Sequence, residues 1–114
     1  MLVKDLDLNE YIMGDFMDGK KACLIVNVAS QWPFAKKNYG QLVELYKRYS
    51  ESGLQIIGFP SGQFLNQEED TNEAIKKVST EKYKVRFPLM DKCDVNGPNA
   101  HQVFKWLRSN TREL

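Results

Sequence analysis

Ala22-Cys23-Leu24-Ile25-Val26-Asn27-Val28-Ala29 is a nearly continuous apolar run of strand length, rich in branched side chains, with Gly19-Lys20 marking a turn ahead of it. Such a run predicts a central strand buried on both faces. Downstream, Tyr39, Leu42, Val43 and Tyr46 recur at helical spacing, and Leu45 and Tyr49 widen the stripe. Asn38 is the expected cap of this helix, Lys47 and Arg48 suit its C-terminal dipole, and Gly53 supplies a left-handed stop. Leu54-Gln55-Ile56-Ile57-Gly58-Phe59 then reads as a second strand ended by Pro60. Strand, helix and strand of these lengths form a βαβ unit with parallel strands and a right-handed crossover. The loops after the two strands, Ser30 to Lys37 and Pro60 to Asn66, must therefore emerge at one carboxyl edge, where open α/β sheets place their ligands. This topology is expected to bring Trp32 and Gln63 together.

The remaining pattern adds helices around that unit. Asp70 and Glu73 have capping-box spacing, so a second helix is expected from Asp70 or Thr71, with Ala74, Ile75 and Val78 as its apolar face and an end near Tyr83. Phe87-Pro88-Leu89-Met90 reads as a short extended piece and Asn96-Gly97-Pro98 as a turn. Ala100, Val103, Phe104 and Leu107 form the stripe of a third helix, where Trp106 is expected to pack.

Composition sets ordinary bounds. A chain of 114 residues, 42% hydrophobic and 27% charged, reads as one soluble globular domain over residues 1–114. Sixteen Lys and Arg against fifteen Asp and Glu leave a net charge of +1, which points to neither nucleic acid nor an anionic membrane. The basic pairs Lys36-Lys37 and Lys76-Lys77 read as solvated faces. Lys4, Asp5, Asp7, Glu10, Asp15 and Asp18 interrupt the first twenty residues and rule out the apolar core of a secretory signal there, so the expected location is cytoplasmic. Cys23 and Cys93 are too few for a disulfide framework and read as free, buried thiols. His101 stands without a Cys or carboxylate at ligand spacing, so it reads as a solvated or helix-start histidine and no metal site is expected. Gly58 and Gly62 flank a turn and belong to no phosphate-binding loop.

Three ordered motifs carry a family resemblance over almost the whole chain. The run Val26-Asn27-Val28-Ala29-Ser30-Gln31-Trp32-Pro33-Phe34-Ala35-Lys36-Lys37-Asn38-Tyr39 resembles the active-site signature of the glutathione peroxidase family. Phe59-Pro60-Ser61-Gly62-Gln63-Phe64-Leu65-Asn66-Gln67-Glu68 is similar to its second signature, and Asp91-Lys92-Cys93-Asp94-Val95-Asn96-Gly97 to a third. The resemblance implies a thioredoxin-like α/β fold, with a central partly parallel sheet flanked by helices. It also implies thiol-dependent reduction of hydroperoxides, linked to oxidative-stress response. In that chemistry a cysteine or selenocysteine attacks the O–O bond, becomes a sulfenic or selenenic acid, and is returned by glutathione or thioredoxin. The thiolate needs a depressed pKa, which a helix N-terminus and donor side chains provide.

This chain departs from the pattern at the reacting atom. By the resemblance, Trp32 occupies the nucleophile position, and an indole is not a nucleophile. Pro33 and Ala35 replace the glycine and threonine that usually follow, Ser61 and Gly62 replace a cysteine and an asparagine, and Thr80 stands near the usual resolving cysteine. The family's Trp-Asn-Phe strand, with its later strand and helix, has no counterpart before Leu114. Of the family's catalytic positions only Gln63 remains in kind. Cys23 is expected roughly 20 Å from the loop at Ser30, at about 3.3 Å per residue, and cannot substitute. The expectation is a peroxidase-family member that is inactive or nearly so, with no cofactor, and with glutathione or thioredoxin as reductant only if active. The open edge of an incomplete sheet also predicts marginal folding or oligomer formation. Two alternatives stand beside this: a non-catalytic module holding a protein partner at the loop edge near Phe34, Phe64 and Gln63, or the product of a truncated or misread gene. A UGA codon at position 32 would make Trp32 a misread selenocysteine, against which Pro33 and Ala35 speak.

Overall fold

The computed structural model describes residues 1–29, 35–61, 71–93 and 98–110. The chain opens on an antiparallel hairpin, β1 (Leu2–Lys4) with β2 (Glu10–Ile12), followed by the short helix α1 (Met13–Met17). Asp5 closes the hairpin loop: its Oδ1 accepts from the backbone N–H groups of Asp7 and Asn9, both at 2.9 Å. Nothing in the apolar pattern announced this hairpin, because its strands are three residues long and mostly exposed.

The βαβ unit is present as the sequence predicts. β3 (Ala22–Val28) and β4 (Leu54–Pro60) are parallel and in register from Ala22 opposite Leu54 to Val28 opposite Pro60, and α2 (Ala35–Tyr49) joins them. Gly53 has φ +111° and turns the chain into β4. Its carbonyl accepts from the N–H groups of Lys21 and Ala22 at the start of β3. The helix starts three residues earlier than expected. Asn38 lies inside it and is not its cap, because Ala35, Lys36 and Lys37 are good helix formers and Ala35 is buried against the sheet.

Sheet position is where expectation and structure part. β4, not β3, is the buried strand: Gln55 through Pro60 are all buried, whereas Ala22, Leu24 and Asn27 are exposed. The reason lies in the neighbours. Beyond β4 the chain continues the sheet through Pro88–Met90, with Gly58 N–H donating to Pro88 O at 2.9 Å and Met90 N–H to Gly58 O at 2.8 Å. That segment is bonded in turn to the first hairpin, since Asp91 N–H donates to Lys4 O at 2.8 Å and Met90 bridges Asp5. β3 has a strand partner on one side only among the described residues. An apolar run cannot by itself tell a strand with neighbours on both sides from one with a described neighbour on one side.

Gly58 stands within β4, as the strand reading expects, and a Cβ there would lie 2.5 Å from Leu89 Cδ2 and 3.3 Å from Phe87 Cε1. Only glycine lets the 87–90 segment approach so closely.

Two cores flank the sheet. On one face Val3, Met13, Ile57, Phe59, Met90 and Val103 pack with Phe104 and Leu107 of α4 (Gln102–Asn110), and Cys23, Ile25 and Cys93 lie against them. On the other, Val28, Ala35, Tyr39, Ile56, Val85 and Phe87 pack with Leu42, Val43 and Tyr46 of α2. Tyr39 also stacks on Tyr83, with ring centroids 4.7 Å apart. Leu45 and Tyr49 do not join this core and are exposed, as is Trp106 on α4. Helical spacing identified the stripe but overstated its width.

Helix α3 (Asn72–Lys77) is capped by Thr71, whose Oγ1 accepts from Ala74 N–H at 3.2 Å. It runs on as a π-helical turn, Val78–Lys82, to Tyr83. Asn72 ties the helix to the sheet by donating to Asp91 Oδ1 at 2.6 Å and accepting from Lys92 N–H at 3.1 Å. Asp70 lies outside the described residues.

Candidate functional site

The carboxyl edge of β3 and β4 forms as the topology requires. Val28 stands opposite Pro60, and Ser61 N–H donates to Val28 O at 3.0 Å, so the segments that leave the two strands start side by side. Ser61 is fully buried. Trp32 and Gln63, the two expected site residues, lie outside the described residues, as do Pro33, Phe34, Gly62 and Phe64. What the described residues supply is the frame: two parallel strand ends, and the N-terminal turn of α2 held by buried Ala35. That turn carries Lys36 and Lys37 and no acidic residue. Together with the helix dipole, it favours negative charge in front of the helix.

Neither cysteine is built for attack in this frame. Cys23 is the second residue of β3, about 17 Å from its carboxyl end at 3.3 Å per residue. Burial pushes its thiol pKa up, which keeps it protonated. Cys93 is nearer the edge than the sequence indicated, because its backbone N–H donates to Pro60 O at 2.9 Å; the residue is half-buried against the Phe59 core. Sequence spacing gave no signal for this placement, which depends on a single long-range backbone bond. Thr80 is exposed, and its hydroxyl donates to the Lys76 carbonyl one helical turn back.

His101 is a helix-start residue. Its Nδ1 accepts from Val103 N–H at 3.1 Å at the entry to α4, and its ring packs edge-on against Phe59. Burial lowers its pKa, with Asp91 opposing, so the neutral ring that can accept this bond is favoured. Among the described residues no group of three His, Cys, Asp or Glu side chains is arranged to hold a metal ion.

Among the described residues, cavities border the sheet on either side of it. One, about 360 Å³, runs between β3 and α2, lined by Val26, Val28, Ala35, Tyr39, Leu42 and Leu45 among others. The second, about 290 Å³, lies between α3 and the first hairpin, where Lys76 Nζ is engaged by Asp7 at 2.8 Å and the walls are chiefly apolar. Neither presents a nucleophile paired with a base.

The family model for glutathione peroxidase matches residues 2–108. The chain belongs to the glutathione peroxidase family. Its curated relatives include putative glutathione peroxidase 7, chloroplastic, of Arabidopsis thaliana, 42% identical over 95% of this chain and 46% of the relative. A probable phospholipid hydroperoxide glutathione peroxidase of Mesembryanthemum crystallinum is 43% identical over 96% of this chain and 63% of the relative. The chain thus spans about half to three-fifths of the length of these relatives. Among solved structures, that of Trgpx in apo form superposes with a TM-score of 0.72 at 30% identity, over 100% of this chain and 65% of that one. T. cruzi GPX1 gives a TM-score of 0.66 at 26% identity, over 96% of this chain and 63% of that one. The α/β thioredoxin-like fold is therefore that of the family. Relatives named as chloroplastic and mitochondrial occur, so membership does not select the cytoplasm. No helix among the described residues is long and apolar enough to cross a membrane.

Proposed function

We propose that this member of the glutathione peroxidase family keeps the scaffold of thiol-dependent hydroperoxide reduction but turns peroxide over poorly or not at all. The observation that carries the reading is Trp32, which stands where the family's signature has its cysteine or selenocysteine. An indole has no lone pair available for displacement at an O–O bond and cannot cycle through a sulfenic acid. The surroundings support the reading. The helix N-terminus that would stabilise a thiolate is in place, yet Cys23 sits at the far end of β3 with its thiol pKa raised, and Cys93 is packed against the core. Substrates of the active relatives, hydroperoxides on one side and glutathione or thioredoxin on the other, are the ligands this frame would be tested with.

The experiment is a coupled NADPH assay with hydrogen peroxide or a phospholipid hydroperoxide, using glutathione with its reductase or thioredoxin with its reductase. The expected result is turnover indistinguishable from the uncatalysed background. Turnover that disappears in a Cys93→Ser variant would instead assign the chemistry to that thiol and overturn the reading.

A further inference from the structure

We propose that the cavity between the first hairpin and α3 is a binding site for one small, uncharged phenol, whose hydroxyl pairs with the buried hydroxyl of Ser79. The site is independent of whether the chain turns peroxide over.

The walls are held in place by bonds between the elements that form them. Leu6 N–H donates to Leu89 O at 3.2 Å and Asp5 bridges Met90, which fixes the hairpin loop against the 87–90 segment. On the other side Lys76 Nζ reaches Asp7 at 2.8 Å, so α3 is tied to the same loop. Between these ties lies a space of about 290 Å³, walled by Phe16, Val85, Phe87, Leu89 and Met90 among others. The lining comes from residues 5–16, 76–80 and 85–90, so neither the carboxyl edge nor the outer side of β3 contributes to it.

One polar group in this lining is left over. Asp5 accepts from the N–H groups of Asp7 and Asn9, and Asp7 holds Lys76. The Tyr11 hydroxyl hydrogen-bonds to Asp5, and the Thr80 hydroxyl donates to the Lys76 carbonyl. Ser79 is 1% exposed and lines the same cavity, and among the described residues its hydroxyl has no hydrogen-bond partner. A buried hydroxyl without a partner is costly, and native proteins keep few of them. Ser79 owes its position to the π-helical turn Val78–Lys82, which Tyr83 N–H closes on Val78 O at 3.2 Å. Val85 N–H pins that turn by donating to Ser79 O at 3.0 Å. Such turns are rare and concentrate at functional sites. An orphan hydroxyl and a π-turn thus meet at one apolar cavity.

The chemistry of the lining selects the ligand. Asp5 and Asp7 outnumber Lys76, so the charged rim is net negative and disfavours carboxylates and phosphates. A cation would have to shed its water among apolar side chains. An uncharged molecule with one hydroxyl suits the site, because the Ser79 hydroxyl both donates and accepts. Phe16 and Phe87 in the wall, with Tyr11 tilted on Phe16 at a ring-centroid distance of 5.1 Å, favour an aromatic body. Size restricts that body to a single ring. An apolar cavity of about 150 Å³ already accommodates benzene, and the 290 Å³ here leaves room for the hydroxyl and a short substituent.

Titration of para-fluorophenol into the whole chain tests this, followed by fluorine NMR on the ligand and amide NMR on the protein. The expected result is saturable binding with a Kd of about 1 mM or tighter. Amide shifts should concentrate in the three stretches that line the cavity. Fluorobenzene, which lacks the hydroxyl, should bind about fivefold more weakly, the worth of one neutral hydrogen bond. Ser79→Ala should lose that preference by weakening para-fluorophenol alone. In the free protein the same variant should keep or raise its Tm, because it removes an unpaired buried hydroxyl. Absence of saturable binding, amide shifts centred elsewhere, or a phenol preference that survives Ser79→Ala would each overturn the proposal. A lower Tm in free Ser79→Ala would overturn it as well, since it would mean that the hydroxyl is already paired, to a buried water for example.

Discussion

Replacing Gly58 by alanine places a methyl group where the 87–90 segment pairs alongside β4. The new Cβ would stand 2.5 Å from Leu89 Cδ2, 3.3 Å from Phe87 Cε1 and 3.8 Å from Val28 Cγ2. Optimal carbon–carbon separations are about 3.5–4.0 Å, so the Leu89 contact is more than about 1 Å too close. The backbone cannot retreat without breaking the bonds from Gly58 N–H to Pro88 O and from Met90 N–H to Gly58 O. Leu89 must therefore leave its rotamer, at about 0.5–1.5 kcal/mol, inside a packed cluster where extra methyl groups cost about 1–3 kcal/mol. Lower unfolded-state entropy returns about 0.4–1 kcal/mol. The net expectation is a destabilisation of about 1–2 kcal/mol, or roughly 4–10 °C in Tm for a domain of this size. Thermal and urea unfolding measure it. A double-mutant cycle with Leu89→Ala should return a coupling energy of at least about 0.5 kcal/mol, because removing the leucine makes room for the methyl group. An unchanged or higher Tm in Gly58→Ala, or strict additivity with Leu89→Ala, would refute the close approach of the two segments.

Other consequences are checked as directly. His101 has its pKa lowered by burial, so the unfolded chain binds more protons below its ordinary value of 6.5. The His101 contribution to stability should therefore be complete above pH 6.5 and decline as pH falls below it; in His101→Ala, urea midpoints should lose that pH dependence. Thr71→Ala removes the cap of α3 and should cost about 1 kcal/mol in the same assay. Cys23, half-buried with its thiol pKa raised, should react with a maleimide or hydrogen peroxide much more slowly than a free cysteine at pH 7.4, as followed by mass spectrometry; rapid modification in the folded chain would contradict its placement.

The βαβ unit was legible because its signals are local and strong: a branched apolar run, a four-point helical stripe from Tyr39 to Tyr46, and Gly53 at the turn into β4. Its parallel pairing then followed from connection length alone. The helix stripe around Val103 and the helix-start role of His101 were legible for the same reason. Long-range partners were not. Whether β3 or β4 is the more buried strand among the described residues depends on residues 88–90 reaching Gly58, and that approach has no signature beyond a glycine inside a strand. Leu45, Tyr49 and Trp106 were expected to pack yet lie exposed, because periodicity records which way a side chain points and not how far it is covered. Asn38 is a good capping residue in sequence but lost its place to Ala35, which gains burial by starting the helix earlier. At the site, the family signature points to Trp32 and Gln63, which lie outside the described residues, while the nearness of Cys93 to Pro60 needed the folded chain.

The central claim is that a glutathione peroxidase scaffold with Trp32 at the nucleophile position does not sustain peroxide chemistry. The most direct test is single-turnover consumption of hydrogen peroxide by the reduced, folded chain, measured with and without glutathione or thioredoxin beside an active family member as positive control. The account predicts no peroxide loss above the protein-free rate and no sulfenic acid trapped on the chain. Stoichiometric peroxide consumption with regeneration by either reductant would contradict it.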